Sequence, residues 1–353
     1  MQKQQLDAKK QRIYEIFSEA FPEDPAWNAW YFENVYHDGQ GLVHENNGQI
    51  VSSLLMQDYA YRFAGTEVGL SYISGVATSA RQRGKGYMGA LMADALRQSH
   101  DTGNALAAVV PAADHLYFFY DKFGFSTTVY IDCERYTALH RFAMDARFRP
   151  VEATAPLLRT LEEREPNTVL HNDAQFMALV SDIHYDHGEV FAIEDATDGT
   201  AAAFAAAVPH RHTVQVRSLL ATDADAAESV LSLVRDKFPD VPIEVWARPS
   251  GRRASLRARA MLRIVNAGKV LAAMAAADRR IEQVIRVHDN IVTANNGVYI
   301  LHNGNCEHAD STMRKLTLDV NIATLAAIIF SSAEMGLVFG LDTHRAMLPL
   351  MLD

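Results

Sequence analysis

The sequence predicts a multi-domain protein of mixed α/β class, in which each domain has an α+β arrangement. Three observations lead to this prediction. Amphipathic helical patterns alternate with strand patterns over residues 1–140. A weaker version of the same alternation returns over residues 150–250, and residues 255–353 add a shorter set of helices and strands. A chain of 353 residues is long enough for two or three domains of ordinary size.

The first segment opens with two predicted helices and a hairpin. Ile16 and Phe17 follow Ile13 by three and four residues, which predicts an amphipathic helix over 7–21, and an aromatic-rich helix follows over 27–36. The turn at 46–48, Asn-Asn-Gly, separates two strand patterns. The remaining predicted elements are a strand over 68–76, a helix that starts after Gly86 and stops at Thr102-Gly103, a strand over 105–110, a short helix over 116–120 and a strand over 127–132.

The second and third segments follow the same rules. In the second we predict a helix before Asn172, strands over 189–193, 201–208 and 214–221, a helix over 224–237 and a strand over 243–247. The basic stretch Arg252–Arg259 is interpreted as a solvated helical linker. In the third we predict a helix over 269–277, strands over 281–287, 291–293, 298–302 and 316–320, and a helix over 322–330 that Asn321 caps.

Composition and charge exclude several classes of protein. Lys and Arg number 33 against 43 Asp and Glu, a net charge of −10, so we expect no nucleic-acid partner and no membrane partner, and a cationic small substrate is favoured. Two cysteines, Cys133 and Cys306, cannot build a disulfide scaffold or a multi-thiolate cluster. The first twelve residues lack the apolar core of a secretion signal, so we expect a cytoplasmic protein.

The most specific feature is a strand–loop–helix at Val76–Met88, with the sequence V-A-T-S-A-R-Q-R-G-K-G-Y-M. Glycines at 84 and 86 would let a ligand approach the backbone, and N–H groups at the helix start would face it together. Arg81, Arg83 and Lys85 would add positive charge, so the loop suits a pyrophosphate. The alternative is a surface turn with solvated basic residues. The loop is neither a nucleoside-triphosphate loop nor a dinucleotide fingerprint.

A second motif stands some thirty residues downstream, where Tyr120-Asp121-Lys122-Phe123-Gly124-Phe125 has the pattern Y-x-x-x-G-F. Together with the R-x-x-G-x-G loop it resembles the GNAT acetyltransferase superfamily. The resemblance implies that Val76, Ala77 and Thr78 run beside the pantetheine arm of acetyl-CoA. It also implies that the phosphates are held by the loop and helix start, namely Arg81, Arg83, Gly84, Lys85, Gly86, Tyr87, Met88 and Gly89. Tyr120 would be the general acid that protonates the leaving thiolate; its alternative role is that of a core aromatic.

The three-part order resembles the enhanced intracellular survival (Eis) family in particular, and Met261-Leu262-Arg263-Ile264-Val265-Asn266 is similar to the start of that family's third domain. The resemblance implies a GNAT domain, a degenerate GNAT-like domain and a sterol-carrier-protein-like domain. It also implies aminoglycoside-type amine substrates, a homo-oligomer that is hexameric, and a terminal carboxylate acting as base. That carboxylate belongs here to Asp353, whereas the family usually ends in an aromatic residue. A frayed terminus is the alternative.

Two further groups of residues are candidate ligands. Asp24, Trp27, Trp30 and Tyr31 are candidates to line a substrate pocket, because carboxylates and aromatic faces hold ammonium groups. A packed helix face is the equal alternative. We interpret His184, His187, His210 and His212 as surface histidines and predict no metal site.

The combined features predict an acetyl-CoA-dependent N-acetyltransferase in which an amine of a cationic small molecule, aminoglycoside-like or polyamine-like, attacks the thioester directly. Two alternatives stay open. One is a protein or peptide N-acetyltransferase. The other is a CoA- or lipid-binding protein without turnover.

Overall fold

In the computed structural model of the chain, the described residues are 2–247, 249, 256–341, 343–349 and 351. They fall into two compact units. The first unit combines Met1–Thr128 with Ala260–Arg345, and the second combines Val129–Arg259 with Ala346–Asp353. The division into three domains stays a prediction. Within the described ranges, no helix has both the length and the apolar character that crossing a membrane requires.

The N-terminal part of the first unit follows the predicted order closely. Its elements are α1 (Gln2–Ala20), α2 (Pro25–Asn34), β1 (Gly41–Asn46), β2 (Gln49–Phe63), β3 (Thr66–Thr78), α3 (Tyr87–Asp101), β4 (Leu106–Val109) and α4 (Asp114–Asp121). The predicted hairpin at Asn46–Gly48 is confirmed, and α3 ends one residue before the predicted Thr102-Gly103 stop.

The middle of the chain continues with β5 (Ser126–Tyr136), β6 (Phe148–Val151), α5 (Ala155–Glu162), β7 (Asn167–Leu170), α6 (Asp173–Tyr185), β8 (Glu189–Asp195), β9 (Ala201–His210), β10 (Thr213–Ala221), α7 (Ala224–Lys237) and β11 (Ile243–Ala247). The bounds predicted for α7 and β11 are confirmed without change. The helix α6 was missed, although Asn172 and Gln175 form a capping box at its start.

The last part contains β12 (Arg257–Ile264), α8 (Ala267–Ala277), β13 (Gln283–His288), β14 (Gly297–His302), β15 (Asn305–Ala309), β16 (Leu318–Asn321), α9 (Ile322–Phe330) and α10 (Ala333–Val338). Asn321 caps α9 as predicted, since its side chain accepts a hydrogen bond from the N–H of Thr324 at 2.8 Å. The strand predicted over 291–293 is wrong, because a bend and a short 3₁₀ turn stand there.

The sheet of the first unit has the order β1-β2-β3-β4-β12. Neighbouring strands are antiparallel except β3 and β4, which α3 connects as a parallel pair. An apolar core including Leu54, Leu91, Leu96 and Phe125 lies against this sheet. A separate four-stranded sheet, β15-β14-β13-β16, completes the unit.

The strand β12 overturns one prediction. Arg257–Arg259 was expected to be part of a solvated helical linker, but it begins β12; residues 252–255 lie outside the described part of the chain. The register pairs Met261 with Val109 and Ile264 with Leu106. About 150 residues separate these partners, so no local pattern could indicate the pairing.

The sheet of the second unit has the order β5-β11-β10-β9-β8-β6. Here β10 and β11 are the parallel pair, connected by α7, and β8, β9 and β10 are antiparallel. Both units therefore contain two helices, three antiparallel strands, one further helix and a final strand that pairs in parallel with the last of the three antiparallel strands. This repeat of element order is what the sequence predicts for a second, degenerate copy of the first fold.

Candidate active site

The parallel strands of the first unit separate at their carboxyl ends. Pairing between β3 and β4 runs only from Leu70–Leu106 to Tyr72–Ala108, and β4 ends at Val109. β3 continues to Thr78, hydrogen-bonded there to β2 alone among the described strands. The backbone edge of β3 from residue 73 to residue 78 is therefore open on the β4 side, where a ligand could add hydrogen bonds like those of a strand.

A β-bulge in β3 creates this divergence. The register with β2 shifts between Ser53 and Leu55, and Gly75 within the bulge has φ +56°. A Cβ at Gly75 would also lie 2.9 Å from Cε2 of Phe17, so glycine is required here for two reasons. Beyond the bulge, the hydroxyls of Thr78 and Ser52 share a hydrogen bond of 2.8 Å that anchors the end of the strand. Val76, Ala77 and Thr78 thus lie along the open edge, and their contact with a pantetheine arm stays a prediction.

The glycine loop connects this edge to α3. Gly84 and Gly86 have φ of +77° and +84°, a region that L side chains rarely adopt. Apart from the adjacent residues, no atom of the described part of the chain lies within 4 Å of a Cβ at either glycine, so space for a ligand remains beside the backbone. The first hydrogen bond of α3 runs from the N–H of Ala90 to the carbonyl of Gly86. The N–H groups at 87–89, on Tyr87, Met88 and Gly89, precede it and are available to an anion.

Three cationic side chains surround the loop. Arg81, Arg83 and Lys85 are all exposed. The Arg83 Nε donates to the carbonyl of Thr78 at 3.0 Å, and the Lys85 Nζ donates to Gln82 at 2.7 Å. Positive side chains, positive-φ glycines and a helix N-terminus therefore meet at one end of the open edge, and this combination fits the pyrophosphate of a nucleotide-like ligand.

Tyr120 lies in the core of the same unit. The side chain is 5% exposed and belongs to the same core cluster as Ile73 of β3 and Val109 of β4, the two residues at which these strands separate. The rings of Phe119 and Phe125 meet it edge-on at centroid distances of 5.2 and 5.8 Å. Burial raises the pKa of the Tyr120 phenol to about 12, so this group is protonated throughout the physiological pH range.

The turn after α4 is held by a buried ion pair from the C-terminal part of the same unit. The Arg263 side chain is fully buried; its Nε donates to the carbonyl of Phe123 at 2.8 Å, and its Nη2 contacts both carboxylate oxygens of Asp289 at 2.8 Å. Gly124, at φ +81°, packs so closely that a Cβ would lie 3.0 Å from the Arg263 Nε and 2.9 Å from Ile322. The glycine of the Y-x-x-x-G-F motif is thus needed for this close contact.

Asp289 is itself fully satisfied. The N–H groups of Ile291 and Val292 donate to one of its oxygens at 3.0 Å each, and the Asn295 amide donates to the other at 2.8 Å. These donors and the arginine compensate for the burial of the carboxylate. This pair was missed from the sequence, where the available signal was a charged residue, Arg263, inside the apolar run 261–265.

The four predicted substrate residues lie together on α2 or at its N-cap, but they differ in burial and in the residues that they contact. Asp24 is the exposed N-cap of α2, and its carboxylate accepts from the N–H of Trp27 at 2.9 Å. Tyr31 is 2% exposed, stacks on Trp27 and Phe17, and its hydroxyl accepts from the Gln57 amide. Trp27 and Trp30 are half-buried, with centroids 6.2 Å apart. Tyr31 has a packing role here, and substrate contact by any of the four stays a prediction.

The remaining candidates take no part in this geometry. His184, His187, His210 and His212 are exposed, which confirms their interpretation as surface histidines. Burial raises the pKa of Cys306 to about 11 and also raises that of Cys133, so both are protonated thiols at neutral pH and poor nucleophiles. Asp353 lies outside the described residues, and its role as base stays a prediction.

Comparison with known proteins defines the class. Residues 3–128 match the family described as Acetyltransferase (GNAT) domain. The chain therefore contains a GNAT acetyltransferase domain, with the strand divergence, glycine loop and tyrosine described above inside or at the border of the matched range. A comparison with curated protein sequences finds no match.

Solved structures share the whole architecture at low identity. Eis1 from Mycobacterium abscessus is 16% identical with a TM-score of 0.71, covering 91% of this chain and 86% of its own. A probable N-acyltransferase from Enterococcus faecalis is 13% identical with a TM-score of 0.79, covering 97% and 96%. A GCN5-related N-acetyltransferase from Kribbella flavida is 18% identical with a TM-score of 0.73, covering 98% and 97%. At these identities the likeness is one of fold.

These findings confirm three predictions: the mixed α/β GNAT fold, the likeness to Eis-type proteins, and an enzyme of the N-acetyltransferase class. The sterol-carrier-like assignment of the third domain, the homo-oligomer and the cytoplasmic location stay predictions.

Proposed function

We propose that this protein transfers the acetyl group of acetyl-CoA to an amine of a cationic small molecule, by direct attack of the amine on the thioester. One observation carries the proposal. The open edge of β3 has the glycine loop at one end, and the buried Tyr120 shares a core cluster with Ile73 and Val109, where β3 and β4 separate; all lie within one compact unit. A ligand with a phosphate head, an extended amide-bearing arm and a reactive thioester would match the glycine loop, the open strand edge and the buried tyrosine in that order.

The proposed cofactor contacts follow from the geometry. The backbone groups of Val76, Ala77 and Thr78 would pair with the amides of the pantetheine arm. The N–H groups and cations from Arg81 to Gly89 would hold the pyrophosphate, without a metal ion or a covalent intermediate. Acetyl-CoA supplies the activated acetyl group and a thiolate leaving group. The residues of this chain would contribute the rest of the catalysis, by binding the two substrates and by transferring protons.

Tyr120 would donate to the leaving thiolate. The thiol that results has an ordinary pKa of ~8.5, below that of the buried phenol, so Tyr120 keeps its own proton in the product and acts by stabilising the developing negative charge through a hydrogen bond as the C–S bond breaks; the released thiolate then takes a proton from solvent. A phenol with a pKa of about 12 remains available as the protonated donor at every pH at which the enzyme would work.

The proposed acceptor is cationic because the chain carries a net charge of −10. The exposed carboxylate of Asp24 and the half-buried faces of Trp27 and Trp30 would attract an ammonium group. The base that receives the amine proton would be the terminal carboxylate of Asp353, as the resemblance implies.

The deciding experiment measures acetyl-CoA-dependent thiol release by the full-length protein with aminoglycosides, polyamines and lysine-bearing peptides. Turnover with one of the two small-molecule classes supports the proposal and names the acceptor. Turnover confined to lysine peptides would replace it with protein acetylation, and acetyl-CoA binding without any turnover would favour the binding-protein alternative.

Gly84→Asp is expected to reduce acetyl-CoA affinity at least 100-fold, because a carboxylate would stand where the phosphates bind and would repel them. Gly65→Asp is the matched control. Gly65 has a similar φ of +75° and lies in the turn at the opposite end of β3; among the described residues, no atom beyond its chain neighbours lies within 4 Å of a Cβ there. Isothermal titration calorimetry measures both variants, and equal affinities would contradict the loop assignment.

The pH dependence of kcat provides a further prediction. Only the neutral amine attacks, so the rate should rise with pH as the acceptor ammonium group loses its proton. Tyr120 acts while protonated, and its pKa of about 12 places the loss of that form beyond the ordinary tyrosine value of ~10. We expect no falling limb between about pH 8 and pH 10. A rate that halves by pH 10 while circular dichroism shows an intact fold would contradict this role.

A further inference from the structure

The second unit repeats the strand divergence of the first. Pairing between β10 and β11 runs from Val214–Ile243 to Val216–Val245 and stops, while β10 continues to Ala221. The register of β10 with β9 shifts between Val216 and Ser218, which places a bulge at Arg217. In the first unit, the bulge at Gly75 likewise follows the end of the parallel pairing. The second unit therefore has the same feature as the first, a β-bulge that follows the end of the parallel pairing and opens an edge between two parallel strands.

A cavity of about 220 Å³ occupies this opening, and all of its lining residues belong to the second unit. Leu219 and Leu220 of β10 and Trp246 of β11 form walls, with Ile183 of α6 and Met351 near the chain end. The volume lies below the ~300–1,000 Å³ of pockets that hold drug-sized ligands, so the cavity suits a smaller molecule.

The chain after β10 excludes a phosphate ligand here. In place of a glycine loop stand Thr222-Asp223-Ala224-Asp225. The carboxylate of Asp223 already accepts from the N–H of Ala226 at 2.8 Å as the N-cap of α7, and Asp225 pairs with Arg147. Two carboxylates at this helix N-terminus occupy the position that a pyrophosphate would need and would repel it. The second unit therefore has the opening between its parallel strands without the glycine loop of the first unit.

Two arginines stand among the lining residues of the cavity. Arg217, at the bulge, has a buried Nε with no hydrogen-bond partner among the described residues, and its Nη2 reaches Asp186 only at 3.4 Å. The Arg259 guanidinium lies over the Trp246 ring, 5.1 Å from its centroid. Two acidic residues, Glu165 and Asp182, also line the cavity, and each has an interaction of its own within the protein. The buried Nε–H of Arg217 is thus a hydrogen-bond donor that lacks an acceptor, and an oxygen atom of a ligand would supply one.

We propose that the cavity of the second unit is a binding site for a small molecule with an apolar body and a carboxylate, the carboxylate facing Arg217 and the apolar body lying between the diverged ends of β10 and β11. This proposal does not depend on the function proposed above. A charge-assisted hydrogen bond to the Arg217 Nε would satisfy the donor that the protein itself leaves without a partner.

The test is isothermal titration of the full-length protein with octanoate, and with octanol and octylamine as uncharged and cationic counterparts. Octanoate is expected to bind at one site with a dissociation constant below about 1 mM, at least tenfold more tightly than octanol and octylamine. Preference for octylamine would overturn the assignment of a carboxylate, and failure of all three to bind would overturn the site.

Variants locate the binding. Arg217→Met should weaken octanoate at least tenfold and leave octanol unchanged, whereas the matched Arg149→Met, on β6 and paired with Glu194, should change neither. Leu219→Trp should fill the cavity and abolish binding. Acetyl-CoA affinity and the thermal unfolding midpoint report whether each variant is folded. If folded Arg217→Met or folded Leu219→Trp binds octanoate as well as the parent, the proposal fails.

Discussion

Replacing Arg263 by methionine is expected to lower the free energy of unfolding by about 3–5 kcal/mol. The side chains of Arg263 and Asp289 are 0% and 1% exposed, and removing the arginine would leave a buried carboxylate without its counter-charge. The Phe123 carbonyl would lose its donor in the same step. Urea unfolding followed by circular dichroism measures the difference in free energy. The variant and the parent protein are compared at the midpoint of the transition in which the first unit unfolds.

Arg280→Met is the matched control for this prediction. Arg280 makes an ion pair with Asp278 at the same 2.8 Å distance, but its side chain is 86% exposed. An exposed pair is worth about 0–1 kcal/mol, because water solvates both charges once the contact is lost. The contrast between the two arginines therefore tests burial rather than pairing. Equal, small losses in both variants would contradict a stabilising role for the buried Arg263.

Tyr120→Phe is expected to lower kcat by about 10²–10⁴-fold, the usual contribution of a positioned acid or hydrogen-bond donor. The acetyl-CoA dissociation constant should stay within about twofold, because the phenylalanine ring keeps the packing against Phe119 and Phe125 and the phosphate loop is untouched. Single-turnover thiol release and calorimetric titration give the two quantities separately. Loss of affinity without loss of kcat would assign the residue a binding role instead.

Tyr299→Phe provides the control for loss of a buried phenol. Tyr299 is 2% exposed, burial raises its pKa to about 12 as it does for Tyr120, and its hydroxyl donates to the Asn295 carbonyl at 3.1 Å. It lies in β14, in the small four-stranded sheet. We expect some loss of stability and an unchanged kcat. Similar losses of kcat in both variants would indicate a general effect of destabilisation.

Much of the candidate site could be predicted because its signals are local. Gly84 and Gly86 are separated by one residue, and the positive φ that each adopts is a property of the glycine backbone itself. The helix that follows begins where the sequence indicates, and the Y-x-x-x-G-F motif places Tyr120 on a short helix before a glycine turn. Periodicity over a few residues likewise predicted α7, β11 and the Asn321 cap.

The surroundings of the site depended on distant residues. Arg263 lies 140 residues from the Phe123 carbonyl that it contacts. The start of β12, Arg257–Arg259, was interpreted as part of a linker because the partner strand β4 lies far along the chain. The aromatic residues of α2 show the same limit. Sequence spacing put Tyr31 beside Trp27 and Trp30, but only packing against Phe17 and Gln57 decided that Tyr31 is buried.

The sequence by itself determined the glycine loop and most of the order of the helices and strands, which depend on backbone preferences and side-chain periodicity within a few neighbouring residues. It also indicated the candidate acid, Tyr120, through the resemblance of the Y-x-x-x-G-F motif to the GNAT superfamily. The tertiary structure alone decided where the parallel strands separate, which arginine is buried beside the Tyr120 turn, and that the second unit encloses a cavity at its own divergence. Strand register and burial arise from contacts between residues far apart in sequence, so no local pattern records them.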